Sequence, residues 1–113
     1  MNLLKILAAG VLLTVSMSTL AEFKTITRAN EVILSELQLP ASANGITSFK
    51  SCGSCSVQVV NVSDATRYKL NDEFVSLAEF RRALAIVTDR QRKTAIVMHH
   101  LESDLVTQIS VRL

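Results

Sequence analysis

The chain changes its hydrophobic period at Ser76, and that change constrains the fold more than any other feature. Between Gly45 and Val75 the apolar residues come in short runs, rich in Val, Ile and Phe and broken by polar turns. At Ser76-Leu77-Ala78-Glu79 the pattern becomes a capping box. The serine oxygen can accept from the backbone N–H three residues on, and Glu79 can reach back to the Ser76 N–H. Leu77, Phe80, Leu84 and Val87 then follow at spacings of three, four and three, with Glu79, Arg82 and Asp89 off the stripe. This spacing predicts one helix over about 77–88. A single helix among strand-period segments makes the chain α+β and mainly antiparallel β: a small sheet or partly open barrel with one helix.

The strand segments can be placed from their β-branched content. Ile46 to Lys50 is a short strand, Val57 to Val62 is strongly β-branched, and Thr66 to Leu70 resumes after the break at Ser63-Asp64-Ala65. Asn71-Asp72-Glu73 is a turn before Phe74-Val75, so 46–75 reads as a meander. Thr94 to Leu101 and Leu105 to Leu113 flank Glu102-Ser103-Asp104 as a hairpin. In its second arm Leu105, Thr107, Ile109, Val111 and Leu113 alternate with polar or smaller residues, which predicts one half-buried face. Ahead of the loop Pro40 to Gly45, the segment Glu31 to Leu39 fits two periods. Ile33, Ser35, Leu37 and Leu39 share a strand face, whereas Ala29, Val32, Ile33 and Leu37 share a helical one. Because the run is short and ends at Pro40, we take it as a strand.

The first 21 of the 113 residues read as a secretory signal peptide. The amino terminus and Lys5 form its positive end, Ile6 to Val15 its apolar stretch, and Thr19-Leu20-Ala21 places a small residue at the cut. That stretch is about half of the ~20 residues that span a bilayer. Cleavage after Ala21 leaves 92 residues of the 113, an N-terminal extension over 22–30 and a single domain over 31–113. The expected location is the periplasm or outside the cell. A domain of this size buries a little over ~60% of its unfolded surface and has small reserves of stability. Twelve Lys and Arg against ten Asp and Glu give +2 overall, too balanced to announce nucleic acid as a partner.

The order strand, strand, strand, helix, strand, strand over 46–113 resembles the OB-fold, whose helix lies between its third and fourth strands. The resemblance rests on element order and carries no functional motif. OB domains that bind sugars or single strands commonly use aromatic platforms. Beyond the signal segment this chain has Phe23, Phe49, Phe74, Phe80 and Tyr68 only. A looser similarity is to small secreted bacterial proteins with Cys-x-x-Cys, then Thr-x-Tyr, then Val-Ser-Leu-x-x-Phe. Here these are Cys52 to Cys55, Thr66 to Tyr68 and Val75 to Phe80. That likeness implies no activity.

Cys52-Gly53-Ser54-Cys55 has the spacing of thiol oxidoreductase sites. Those sites set the first cysteine at a helix N-terminus, where the dipole stabilises the thiolate. Here β-formers follow, so a structural disulfide clamping a turn between strands is the leading assignment in an oxidising compartment. Thiol redox chemistry and metal binding are the alternatives. A metal site would draw on Cys52, Cys55, His99 and His100, but adjacent histidines on a strand face opposite ways, and a structural zinc site wants four ligands. Arg81, Arg82, Arg90, Arg92 and Lys93 form the basic cluster, either a patch for an anionic ligand or partner, or charge at a helix C-terminus. The chain contains no Gly-rich phosphate loop, no His-Glu-x-x-His and no Gly-x-Ser-x-Gly. The expectation is a secreted, non-enzymatic binding or interaction module without a cofactor, its ligand an anion or another envelope protein. A thiol redox or metal-handling protein is the alternative.

Overall fold

The computed structural model describes Ile26–Leu113; the signal-like segment lies outside the described residues. The β-branched runs form seven strands: β1 (Thr27–Ile33), β2 (Ile46–Phe49), β3 (Gln58–Asn61), β4 (Arg67–Leu70), β5 (Glu73–Val75), β6 (Thr94–His100) and β7 (Leu105–Val111). One helix, α1 (Leu77–Ala85), separates β5 from β6, and short 3-10 turns lie at Leu34–Glu36 and Arg90–Arg92. The sheet is mixed, in the order β1-β6-β7-β3-β2, with β4 also on β7 and β5 on β4. Gln38, just after β1, bridges to Ser48 in β2, so the sheet curls almost into a ring. One bridge leaves it open, an OB-like barrel with an extra hairpin. β1 belongs to this circuit and starts at Thr27, with residues 27–30 paired to β6.

Capping sets the helix start: the Glu79 N–H donates to Ser76 Oγ at 3.2 Å. Phe80 and Leu84 are fully buried, and Leu77 and Val87 pack against the core beside them. The helix ends at Ala85, three residues before the expected stop. Arg90 Nη1 takes the Leu84 carbonyl at 2.9 Å and turns the chain there. A basic side chain on the last carbonyls is a favourable way to finish a helix.

Three expectations change in the sheet. Residues 46–75 do not form one meander: β2–β3 and β4–β5 are antiparallel hairpins, but β3 and β4 each run parallel to β7. Ser63–Ala65 is therefore a jog and not a reversal. Thr66 fixes it, accepting from the Ser63 N–H at 3.0 Å and donating to the Val106 carbonyl at 2.6 Å. In β7 the buried residues are Val106, Ile109 and Val111. The ladder pairs Met98 with Gln108 but His99 with Val106, which leaves Thr107 as an extra residue. A bulge of this kind reverses the side-chain phase of everything beyond it. From the end of β1 onward the chain buries Val32, Leu34 and Leu37 while Ile33 is exposed, because the 3-10 turn at Leu34–Glu36 interrupts the period of two.

The β4–β5 hairpin turns through Asn71 and Asp72, both with positive φ (49° and 69°). That is the two-residue turn whose twist matches its strands, and Asn and Asp tolerate it. The Asn71 N–H donates to the Val111 carbonyl at 3.0 Å, and Asn71 Oδ1 accepts from the Leu113 N–H at 2.7 Å. Both bonds tie the hairpin tip to the end of β7. The core sits between the inward face of the ring and α1, with Phe80 against Tyr68 at 5.3 Å between ring centroids.

Candidate functional site

Register defines the site. Glu31 pairs with Ile96, Ile96 with Ser110, Ser110 with Lys69, and Lys69 with Phe74. Directly paired residues share a face, so these five make one row across β1, β6, β7, β4 and β5. The row points away from the core: the next row, Asn30, Val97, Ile109 and Tyr68, is the buried one. Glu31 and Lys69 stand three strand spacings apart, roughly 14 Å at ~4.8 Å each. A parallel row, Ala29, Met98, Gln108 and Arg67, lies beside it.

Two grooves occupy this outer face and meet at Thr94. One, of about 440 Å³, is lined by Lys69, Asp72, Thr94, Ile96, Gln108, Ser110 and Arg112. The other, of about 420 Å³, is lined by Glu31, Ile33, Glu36, Thr94 and the loop residues Lys50 to Gly53. Their joint floor is apolar at Ile33 and Ile96, with hydroxyl and amide groups from Thr94, Ser110 and Gln108. One end carries Glu31 and Glu36. At the other stands Lys69; past the groove's lining Lys69 and Arg67 flank Phe74, with the Arg67 guanidinium 3.7 Å from the ring centroid. Phe74 stays half exposed, at 49%. Arg112 Nη2 donates to both Asp72 oxygens, at 2.9 and 2.8 Å, and this pair holds the Asp72 carboxyl below the usual carboxylate range.

Cys52 and Cys55 are joined as a disulfide in the loop between β2 and β3. The Cys55 N–H donates to the Cys52 carbonyl at 3.2 Å, so the pair closes a turn, and β3 follows with no helix between. Among the described residues no helix begins at or just after either cysteine. The loop serves as a wall of the second groove. Because Gln38 ties β2 to the chain just after β1, residues 50–53 come over the outward side of β1.

The histidines lie elsewhere. The disulfide loop precedes β3, and His99 and His100 lie past its other end, where Asn61 meets Leu105 and Leu105 meets His100. Four strand residues, roughly 13 Å, separate the two places. The four candidate metal ligands are thus not brought together, and among the described residues no three ligating side chains converge. Both histidines are half-buried and both have partners. His99 Nε2 is 2.7 Å from Asp104 Oδ1, and His100 Nδ1 is 2.9 Å from Ser103 Oγ and accepts from the Ser103 N–H at 3.2 Å. Curling of the β6–β7 loop brings one partner to each face of the strand.

The basic cluster divides. Arg81 Nη1 donates to the Pro40 carbonyl at 3.0 Å and Arg90 Nη1 to that of Leu84, so both are anchored. Arg82 and Arg92 are exposed and Lys93 is half-buried. Sequence reasoning missed Glu31, Ile96, Ser110, Lys69 and Phe74. The alternation in β6 gives Thr94, Ile96 and Met98 one face, but nothing local says which strands lie beside it. No family model, curated protein or solved structure matches the chain.

Proposed function

We propose that this protein is a secreted, periplasmic, non-enzymatic binding module that grips an extended segment of a partner protein across the outer face of its sheet. The observation that carries the proposal is the in-register row Glu31–Ile96–Ser110–Lys69, whose members line two adjoining grooves with Glu31 and Glu36 at one end and Lys69 at the other; Phe74 extends the row past the grooves. An extended chain repeats its side chains every two residues at about 6.6 Å, so roughly four to five residues cover the distance from Glu31 to Lys69. The partner segment therefore carries a basic residue at the Glu31 end and an acidic residue at the Lys69 end. Charge complementarity of this type sets register and direction more than affinity.

Secretion is supported by the apolar segment with Lys5 ahead of it and Ala21 at its end, and by the disulfide. Among the described residues no helix is long and apolar enough to cross a membrane. For Cys52–Cys55, the turn and the strand that follows favour a structural clamp over a redox centre.

Panning a random peptide library on the purified protein tests the binding proposal. The expected consensus places a basic residue four positions from an acidic one, the even spacing that keeps both on one face of an extended chain, and Lys69→Glu exchanges the acidic preference for a basic one. A consensus indifferent to Lys69→Glu, or none, would overturn the proposal. Fractionation with N-terminal sequencing tests the location: the expected mature chain begins at Glu22, and an uncut cytosolic chain would contradict it.

A further inference from the structure

The groove between α1 and the segment Leu37–Leu39 is formed by other residues and has a different chemistry. It measures about 400 Å³ and is lined by Leu37, Gln38, Leu39, Arg81, Leu84, Ala85 and Arg90. Two of these side chains are cations and none is an anion. Neither arginine is in an ion pair; among the described residues the arginine that is paired with a carboxylate is Arg112, on Asp72.

Both guanidiniums are held in place before any ligand arrives. Arg81 is fixed through Nη1 to the Pro40 carbonyl at 3.0 Å, Arg90 through Nη1 to the Leu84 carbonyl at 2.9 Å, and both bonds are partly buried. A guanidinium has five N–H donors in a rigid fork, and each of these contacts uses one nitrogen. The other donors stay available on a side chain that has already lost much of its rotamer freedom. Preorganisation of this kind lowers the cost of binding. Gln38 adds a neutral donor: its Oε1 accepts from Ser48 Oγ at 3.3 Å, which leaves its NH₂ group free to donate. Ala85, one turn after Arg81 on the helix, is small and leaves the groove open.

The helix C-terminus works against an anion here, since its carbonyls carry roughly half a negative charge. Arg90 covers one of those carbonyls and brings a full positive charge, and Arg82, Arg92 and Lys93 raise the potential around it. The balance favours the anion. We infer that this groove binds a tetrahedral oxyanion of the phosphate class, held between the forks of Arg81 and Arg90 with the Gln38 amide as third donor. Planar forks match phosphate oxygens in a way that a point charge does not. A free phosphate compound and a phospholipid headgroup share this chemistry.

Titrating inorganic phosphate at constant ionic strength into ¹⁵N-labelled protein, while following the arginine Nε–H and glutamine side-chain signals, tests the inference. Saturable shifts at Arg81, Arg90 and Gln38 are expected, with affinity weakened about tenfold by Arg81→Gln and less by Arg81→Lys, which keeps the charge and loses the fork. Ala85→Leu retains every charge and fills the groove, so it should abolish binding while the rest of the spectrum stays folded. Arg92→Gln and Lys93→Gln touch only the surrounding potential and should weaken affinity much less than Arg81→Gln. The source is separated by sedimentation with phosphatidylglycerol vesicles against phosphatidylcholine ones. Vesicle binding that needs Arg81 and Arg90 identifies a headgroup, and saturable phosphate binding without it identifies a soluble ligand; both support the site. Shifts that never saturate, equal losses from Arg92→Gln, or phosphate binding that survives Ala85→Leu would overturn it.

Discussion

The two arms of the ring differ in how they are held. β1, β6 and β7 have seven residues each, pair along their lengths, and bury Val32, Ala95, Val97, Val106, Ile109 and Val111. β2 and β3 have four residues each. That second arm touches β7 through the single pair Asn61 and Leu105 and touches the first strand's continuation through Gln38 and Ser48. It buries Thr47, Phe49 and Val60 but leaves Ile46, Val57 and Val59 more than half exposed. The disulfide lies in this arm, at the loop that walls the outer groove. On the proposed reading, a cross-link placed where ladder pairing is thinnest does locally what seven-residue strands do on the other side. By the chain-entropy estimate a loop of about four residues contributes about 2 kcal/mol, a sizeable part of the roughly 5–15 kcal/mol that holds a domain folded.

The largest effect belongs to the first arm. Ile109→Ala empties a fully buried position in the middle strand and should cost about 2–5 kcal/mol, lowering the denaturation midpoint of every probe together. If the β2–β3 signals melted separately, the two arms would not form one cooperative unit. Next is Cys52→Ser with Cys55→Ser, expected to cost about 2 kcal/mol in urea unfolding while leaving β6 and β7 native. Loss of the whole fold would mean that the bond supports both arms. Ser76→Ala removes the cap of α1 and should cost about 1 kcal/mol, read as a lower thermal midpoint. No change would mean that packing of Phe80 and Leu84 alone sets the helix start.

The smallest effects come from groups that titrate. Burial raises the Tyr68 phenol above its ordinary value of 10.0, so above that pH the unfolded chain ionises first and stability falls as pH rises. Tyr68→Phe should remove this alkaline loss, and because Tyr68 OH has no partner among the described residues, it should cost little at neutral pH. An unchanged alkaline profile would contradict this. Asp72 has the opposite sign. Its depressed carboxyl contributes above about pH 3.8 and loses that contribution as pH falls through its folded value. Since the pair is exposed and screened, Asp72→Asn should barely alter an acid titration of stability, and a large shift would mark the hairpin tip as more important than the pairing around it.

What the sequence revealed was local. The capping box at Ser76, the Asn71-Asp72 turn and the disulfide pair each depend on residues within four positions of one another, so composition and spacing suffice. The Thr107 bulge, the parallel placement of β3 and β4 on β7, and the outer-face row depend on which strands become neighbours. Val106, Ile109 and Val111 carry a trace of the bulge, a spacing of three followed by two. Nothing in Glu31, Ser110 or Lys69 alone signals that they will share a groove, because one slip of register would send each of them to the opposite face. The basic cluster was visible as a run of charge, but its division into two anchored arginines and three others rests on carbonyls of Pro40 and Leu84 that spacing does not announce.

Residue-resolved amide exchange of the oxidised protein against the Cys52→Ser, Cys55→Ser variant tests most directly the claim that the disulfide is a structural clamp on the weaker arm and its groove wall. Protection should fall in β2, β3 and at Gln38 and stay the same in β6 and β7. Unchanged protection in β2 and β3 would contradict it and return the cysteine pair to a chemical role.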